Sequence, residues 1–277
     1  MPSKPASPLP SSLVLVGAGK MGGALLEGWL RLGLDPSRVA AFDPHPVPAM
    51  EALCRDKGVR LNPPRAGLAP PQALVLAVKP QIFAAAAPDI APLAGGDTLV
   101  LSIMAGKTIA DIAALLPAKA IVRAMPNTPA AVGRGVAGAV ASPGLAPAQK
   151  AMADALLGAV GGVEWLEDES LMDAVTAVSG SGPAYVFLLV ESLAAAGAAA
   201  GLPPDIAMRL ARATVEGSGE LLRRTPSASA GELRVNVTSP GGTTAAALDV
   251  LMARDGLAEL MRRAVAAAKR RAGELAG

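Results

Sequence analysis

The stretch LVLVGAGKMGGALLEGWLRLG, residues 13–33, decides the fold. Its first four residues are apolar without alternation, as in a strand covered on both faces of a parallel sheet. Gly17, Ala18, Gly19, Lys20, Met21 and Gly22 follow in the pattern G-x-G-x-x-G and lead into helical spacing. Glycines here permit a tight turn and let the backbone approach a pyrophosphate, which the N–H groups at the helix start attract. A second strand candidate, VAAF at 39–42, ends at Asp43, twenty-one residues beyond Gly22. That is near the spacing at which an acid meets the ribose hydroxyls of a dinucleotide. A glycine-rich turn with no ligand is the plainer alternative, and the strand before and helix after argue against it.

Outward from this unit, apolar runs alternate with helical patterns. ALVLAV (73–78), TLVLSI (98–103), AIVRA (120–124), VAGAVA (136–141) and VEWL (163–166) are further strand candidates. GGALLEGWLRLG, QIFAAAAPDIAPL, TIADIAALL and APAQKAMADALLGAVG have helical spacing. The expectation is an α/β, Rossmann-like doubly wound domain over residues 12–166. Such sheets bind ligands beyond the carboxyl ends of their strands. The candidates there are Ala77, Val78, Lys79 and Pro80 in AVKPQ, Ala105 in SIMAG and Asn127 in RAMPNTPA. Lys79 is placed to meet the cofactor or a substrate anion, and Pro80 fixes the turn; a solvated lysine on a turn is the alternative.

After about residue 168 the strand runs stop. The segments 183–201, 204–224, 243–253 and 256–275 read as helices, most opening on proline or threonine and several ending on glycine or arginine. An all-α domain is therefore expected over 167–277. Its alanine-rich faces permit close helix approach and leave apolar surface for another subunit, so an oligomer is expected. Two segments stand out there. SGSGPAY (179–185) reads as a sharp helix-to-helix join, and VTSPGGTTAAAL (237–248) places turn chemistry directly before a helix. The second is either a well-capped helix start or an anion site made of backbone N–H groups.

Composition limits the rest. The hydrophobic fraction is 52% and the mean hydropathy +0.42, yet no uninterrupted apolar run approaches the roughly 18 residues of a membrane span. Residues 1–11, rich in proline and serine, lack the apolar core of a secretion signal and read as a flexible leader. The net charge is +2 and aromatics are 2% of the chain, so nucleic-acid binding is not expected. One cysteine, Cys54, and one histidine, His45, leave no disulfide, no cysteine-rich zinc site and no multi-histidine metal site. A cytoplasmic protein that works without a metal is expected.

Five blocks in order, GAGKMGGAL, AVKPQ, RAMPNTPA, DAVTAVSGSGPAY and SPGGTTAAAL, give the chain its resemblance to the pyrroline-5-carboxylate reductase family over about residues 12–275. The resemblance implies reduction of the C=N bond of 1-pyrroline-5-carboxylate to L-proline by hydride from NADPH or NADH. It also implies an all-α dimerisation domain and a homodimer, with assembly into larger sets of dimers left open. Thr244 matches the family threonine that hydrogen-bonds the ring nitrogen. Asn236, Val237, Thr238 and Ser239 match a wall holding the substrate carboxylate, and Glu169 matches a position near the substrate. Gly17 to Gly22, Asp43, Ala77 to Lys79 and Ala105 fall where the family contacts the nucleotide.

Elementary chemistry supports the same residues. A protonated cyclic imine is already electrophilic, so the protein needs only to position it and steady charge. The turn Ser239-Pro240-Gly241-Gly242 would offer backbone N–H groups to the carboxylate. For the cofactor, Asp43 argues for NADH, because an acid at this position repels a 2′-phosphate. FDPHP (42–46) also lacks the Ser/Thr/Arg-type phosphate loop common in family members that use NADPH, while His45 and Arg65 offer positive charge at the same edge. Both cofactors stay open. The rivals are a reductase of another cyclic imine, a hydroxyacid dehydrogenase and a nucleotide sensor without catalysis. The dehydrogenase is disfavoured because no lysine lies between Lys150 and Lys269 to serve a helical domain as acid.

Overall fold

Strand β1 (Leu13–Val16) lies fully buried between β2 (Val39–Phe42) and β4 (Ala73–Leu76). The sheet continues through β5 (Leu99–Ser102), β6 (Ala120–Met125), β7 (Gly135–Ala141) and β8 (Gly161–Trp165), and a two-residue β3 (Arg60–Leu61) closes the other edge. The order is β3-β2-β1-β4-β5-β6-β7-β8. Strands β1 to β6 run parallel, β7 opposes β6, and β8 runs parallel to β7. The computed structural model describes residues 9–65 and 67–276; the first eight residues of the proline-rich leader lie outside them. Leu9 already packs against the core.

Alternate residues of each strand feed two cores, as a period of two requires. Leu13 and Leu15 meet helices α1 (Lys20–Arg31), α2 (Pro48–Lys57) and α5 (Pro147–Gly158). Val14 and Val16 meet α3 (Phe83–Ile90) and α4 (Ile109–Leu115). Trp29 on α1 is completely buried, and its indole N–H donates to the Leu156 carbonyl at 2.8 Å. Helix α2 was not expected from the sequence, although Pro48 opens it and Gly58, at φ +78°, ends it. It buries only Met50 and Cys54, too few apolar positions to give a helical period. The segment 81–93 is a short α-helix between two 3₁₀ turns rather than one helix.

Chain contacts divide the described residues into two compact units. One runs up to Gly180 and includes the end of the last helix from Lys269; the other is Ser181–Ala268. The first therefore keeps a short helix α6 (Met172–Val175) and a π-helical turn, Thr176–Gly180. Val175 lies so close to β7 that a Cβ on Gly138 would come within 2.7 Å of it. SGSGPAY thus spans the end of a π turn, a bend at Ser181 and the start of a helix at Gly182.

The second unit contains α7 (Gly182–Ala199), α8 (Pro204–Arg224), α9 (Ala230–Asn236), α10 (Thr243–Leu251) and most of α11 (Leu257–Ala276). Helices α7 and α8 touch through small residues, with a Cβ on Gly197 3.3 Å from that of Ala207. Ala194, Ala207 and Ala211 are the buried apolar residues of this unit. Phe187 and Leu188 are 63% and 60% exposed. The expectation that nothing reaches the length of a membrane span needs correction. Residues Glu169–Ala199 form one helical length of 31 residues with a window of mean hydropathy 1.4, long and apolar enough by that measure. The sequence reading counted uninterrupted large apolar residues, whereas alanines and glycines carry this helix.

Candidate functional site

The register lines up Val16 with Phe42 and with Leu76, so β1, β2 and β4 end level. Gly17, Asp43 and Ala77 consequently share the edge where the strand order reverses, which is where open α/β sheets bind ligands. Gly17 sits at φ +94°, and a Cβ on it would lie 2.6 Å from the Ala77 carbonyl. A Cβ on Gly22 would strike the Gly17 carbonyl oxygen. Packing alone demands glycine at both positions.

Gly19 is different. Its φ is −69°, ordinary for any residue, and no heavy atom lies within 4 Å of where its Cβ would be. Nothing within the described chain requires glycine there, so the open space above it is a cradle that a side chain would fill. Gly19 caps α1 without a side-chain hydrogen bond, and the first turn holds no acid. The orphan N–H groups of that turn are left for an anion. Lys20 is exposed beside them and Met21 is partly buried. These features fit the pyrophosphate of a dinucleotide.

Asp43 holds the loops around this cradle. One carboxylate oxygen accepts the Ala18 N–H at 2.8 Å and the other accepts the His45 N–H at 2.9 Å. Asn62 braces its backbone from both sides, accepting the Asp43 N–H at 2.9 Å and donating to the Asp43 carbonyl at 2.8 Å. The sequence reading missed Asn62. The available signal was an asparagine just after β3, because asparagine tolerates the left-handed φ of +49° adopted there. Val78 and Pro80 are half-buried on the turn after β4, with Lys79 exposed between them, and Ala105 is exposed after β5.

Two expected site residues have other partners. Asn127 is buried, its amide N–H donating to the Ser179 carbonyl at 3.1 Å and its oxygen accepting the Val136 N–H at 2.9 Å. It acts as a bracket tying the end of β6 to β7 and the π turn. Glu169 accepts hydrogen bonds from Arg123 and from the Ile109 N–H, each at 2.9 Å. Arg123 is almost wholly buried, so this carboxylate first of all compensates a buried guanidinium. A lone arginine in an apolar strand, AIVRAM, was the sequence signal for that pair. Next to it, a capping box joins Thr108 and Asp111, and the Thr108 backbone N–H lowers the Asp111 pKa below the ordinary aspartate value.

In the helical unit, α9 is opened by a capping box of Ser229 and Glu232 that the sequence reading did not use. Its last residue is Asn236, with Val237 as the cap. Thr238 turns its hydroxyl back to the Arg234 carbonyl at 2.7 Å. Asn236, Val237 and Ser239 are exposed. The turn departs in one detail from the expected anion site. The Gly242 N–H closes it on the Ser239 carbonyl at 3.0 Å, and Pro240 has no N–H. The available donors are therefore Gly241, at φ +68°, and the first turn of α10, which Gly242 caps without a side chain. Thr244 lies in that first turn, and its hydroxyl has no hydrogen-bond partner among the described residues.

Comparison with known proteins adds to this geometry. A family model described as pyrroline-5-carboxylate reductase dimerisation matches residues 169–275. Another, described as NADP oxidoreductase coenzyme F420-dependent, matches residues 12–106. The chain is 42% identical over 267 residues to a pyrroline-5-carboxylate reductase of Synechocystis sp., covering 95% of this chain and 97% of the relative. It is 38% identical to the one from Pseudomonas aeruginosa, covering 95% and 96%. A solved pyrroline-5-carboxylate reductase from Coxiella burnetii superposes with a TM-score of 0.89 at 34% identity, covering 96% of this chain and 98% of that one. The enzyme of Plasmodium falciparum, solved with NADP bound, gives a TM-score of 0.79 at 28% identity, covering 96% and 98%.

Proposed function

Because the chain belongs to the pyrroline-5-carboxylate reductase family, we propose how its own residues carry out that family's reaction. The protein is an NAD(P)H-dependent oxidoreductase that reduces 1-pyrroline-5-carboxylate to proline, the step that completes proline biosynthesis. Relatedness along nearly the whole chain carries this conclusion, since both the nucleotide half and the helical half are matched.

The reduced nicotinamide supplies the hydride when bound. Gly17 to Gly22 would receive its pyrophosphate, with Asp43 at the adenosine ribose and Ala77, Val78, Lys79, Pro80 and Ala105 along the rest of the same sheet edge. The N–H groups of Gly241 and the first turn of α10 hold the substrate carboxylate, and Asn236 to Ser239 form the wall beside it. The Thr244 hydroxyl hydrogen-bonds the ring nitrogen. It steadies the electron pair that returns to nitrogen as C5 accepts hydride, and that nitrogen keeps one proton in the product. Glu169 ties the start of α4, through the Ile109 N–H, to β6, through Arg123. No residue here serves as a nucleophile, consistent with an iminium carbon that needs orientation more than activation.

The protein is a homo-oligomer, and we propose a homodimer in which a second copy covers α7 and the other exposed apolar faces of the helical unit. That use of α7 supports a helix lying against protein rather than in a membrane, and the single, buried cysteine supports a cytoplasmic setting. The test is oxidation of NADH and NADPH by purified protein with and without pyrroline-5-carboxylate. Substrate-dependent oxidation is expected, and Thr244→Ala should lower turnover about ten- to a hundredfold, the worth of one hydrogen bond to a charged group, with dinucleotide affinity unchanged. Folded, dinucleotide-binding protein that oxidises neither cofactor would overturn the assignment.

A further inference from the structure

The adenosine end of the nucleotide edge has a charge arrangement of its own, and we propose that Asp43 together with the Arg65–Asp89 ion pair makes this enzyme select NADH over NADPH. The inference rests on the reading of this edge as the NAD(P)H site. A cleft of about 430 Å³ opens beyond the ends of β1 and β2, lined by Val16, Phe42, Asp43 and Asn62 on one side and Val78 and Ile82 on the other. Asp43 stands at the end of β2, where an acid accepts hydrogen bonds from the ribose hydroxyls. Its carboxylate is fixed by two backbone N–H groups, from Ala18 and His45. Among the described residues no cation pairs with it. It cannot swing away without releasing the glycine loop.

Arg65 is the one basic side chain among the described residues lining this cleft, and its charge is already used. Its guanidinium pairs with Asp89 at 2.6 Å and lies 5.0 Å from the centre of the Phe42 ring. The cleft therefore holds two carboxylates and one guanidinium. A 2′-phosphate would bring further negative charge beside Asp43 and would have to draw Arg65 away from both partners. A 2′-hydroxyl needs neither change, and it gains an acceptor in Asp43. Discrimination of this kind works by repelling the wrong ligand as much as by holding the right one.

The experiment is calorimetric titration of the full-length protein with ADP-ribose and with its 2′-phosphorylated form, neither of which can be turned over. The unphosphorylated ligand should bind at least about tenfold more tightly, a difference of about 1.4 kcal/mol. Asp43→Asn keeps a carbonyl acceptor for the glycine loop and should remove most of that preference. Asp89→Ala leaves the loop untouched and should strengthen binding of the 2′-phosphorylated ligand severalfold by releasing Arg65, with ADP-ribose unchanged. Equal or tighter binding of the 2′-phosphorylated ligand by the unaltered protein would overturn the proposal. Folded protein that binds neither ligand would overturn both the proposal and the nucleotide site. Selective binding of ADP-ribose by protein that oxidises neither NADH nor NADPH in the presence of pyrroline-5-carboxylate would spare the proposal and overturn only the reductase assignment.

Discussion

The two halves of this chain spend their apolar residues in opposite ways. In the nucleotide half, β1, β2, β4 and β5 are buried along their whole length, and Trp29 and Phe83 seal the two faces. In the helical unit three alanines are buried, while Phe187, Leu188 and Val250 stand in the open. The first half completes its core within one chain. The second is built around surfaces that only another body can cover, so its fold and its assembly are a single problem.

A pair of variants breaks this contrast most directly. Trp29→Ala removes a buried indole and its bond to Leu156, and should cost about 3–5 kcal/mol in a melt independent of protein concentration. Phe187→Asp places a charge on the exposed face of α7. It should weaken self-association by about 2–4 kcal/mol, seen as dissociation on dilution by light scattering, with the nucleotide half still folded. An oligomer unchanged by Phe187→Asp would show that the face is covered by something other than a second copy.

The glycine loop sharpens the contrast on a smaller scale. Gly17→Ala forces a left-handed residue and a clash with Ala77, and should cost about 1–2 kcal/mol or more in thermal stability. Gly19→Ala should leave the melting curve within about 0.5 kcal/mol of the parent yet weaken dinucleotide binding about tenfold in calorimetry. Equal effects of the two on stability would mean that Gly19 answers to the fold and not to a ligand.

The smallest effect concerns acid. The Thr108 N–H holds the Asp111 carboxyl below its usual 3.8, so this cap adds stability above the unfolded pKa and loses it as pH falls through the lower folded value. Asp111→Asn should therefore make stability less dependent on pH below about pH 4, a change of no more than about 0.5 kcal/mol. A steeper acid limb would contradict the assigned sign.

Legibility followed periodicity. The continuous apolar runs placed the main strands, and α8 begins at Pro204 and ends at Arg224, as its start and stop residues indicate. Helix α2 escaped because it buries two residues, and α9 because seven residues give no moment, although its capping box was present. Among candidate site residues, the backbone geometry of the glycine loop and of the SPGGTT turn was readable, because positive φ and uncapped helix starts leave marks in residue type. The backbone partners of Asn127 were not readable, because an amide at the end of a strand looks the same whether it faces a ligand or two backbone groups.

The sequence by itself determined where the chain turns, which faces are apolar and which loop can approach a phosphate, because glycine freedom, proline constraint and periodicity act within a few residues. Only the tertiary structure decided that Gly19 faces open space while Gly17 and Gly22 face backbone. It also decided that Arg65 is taken by Asp89 and that Glu169 answers Arg123. Those are pairings between segments far apart in the chain, and whether a charge is free or spent depends on what the fold places beside it.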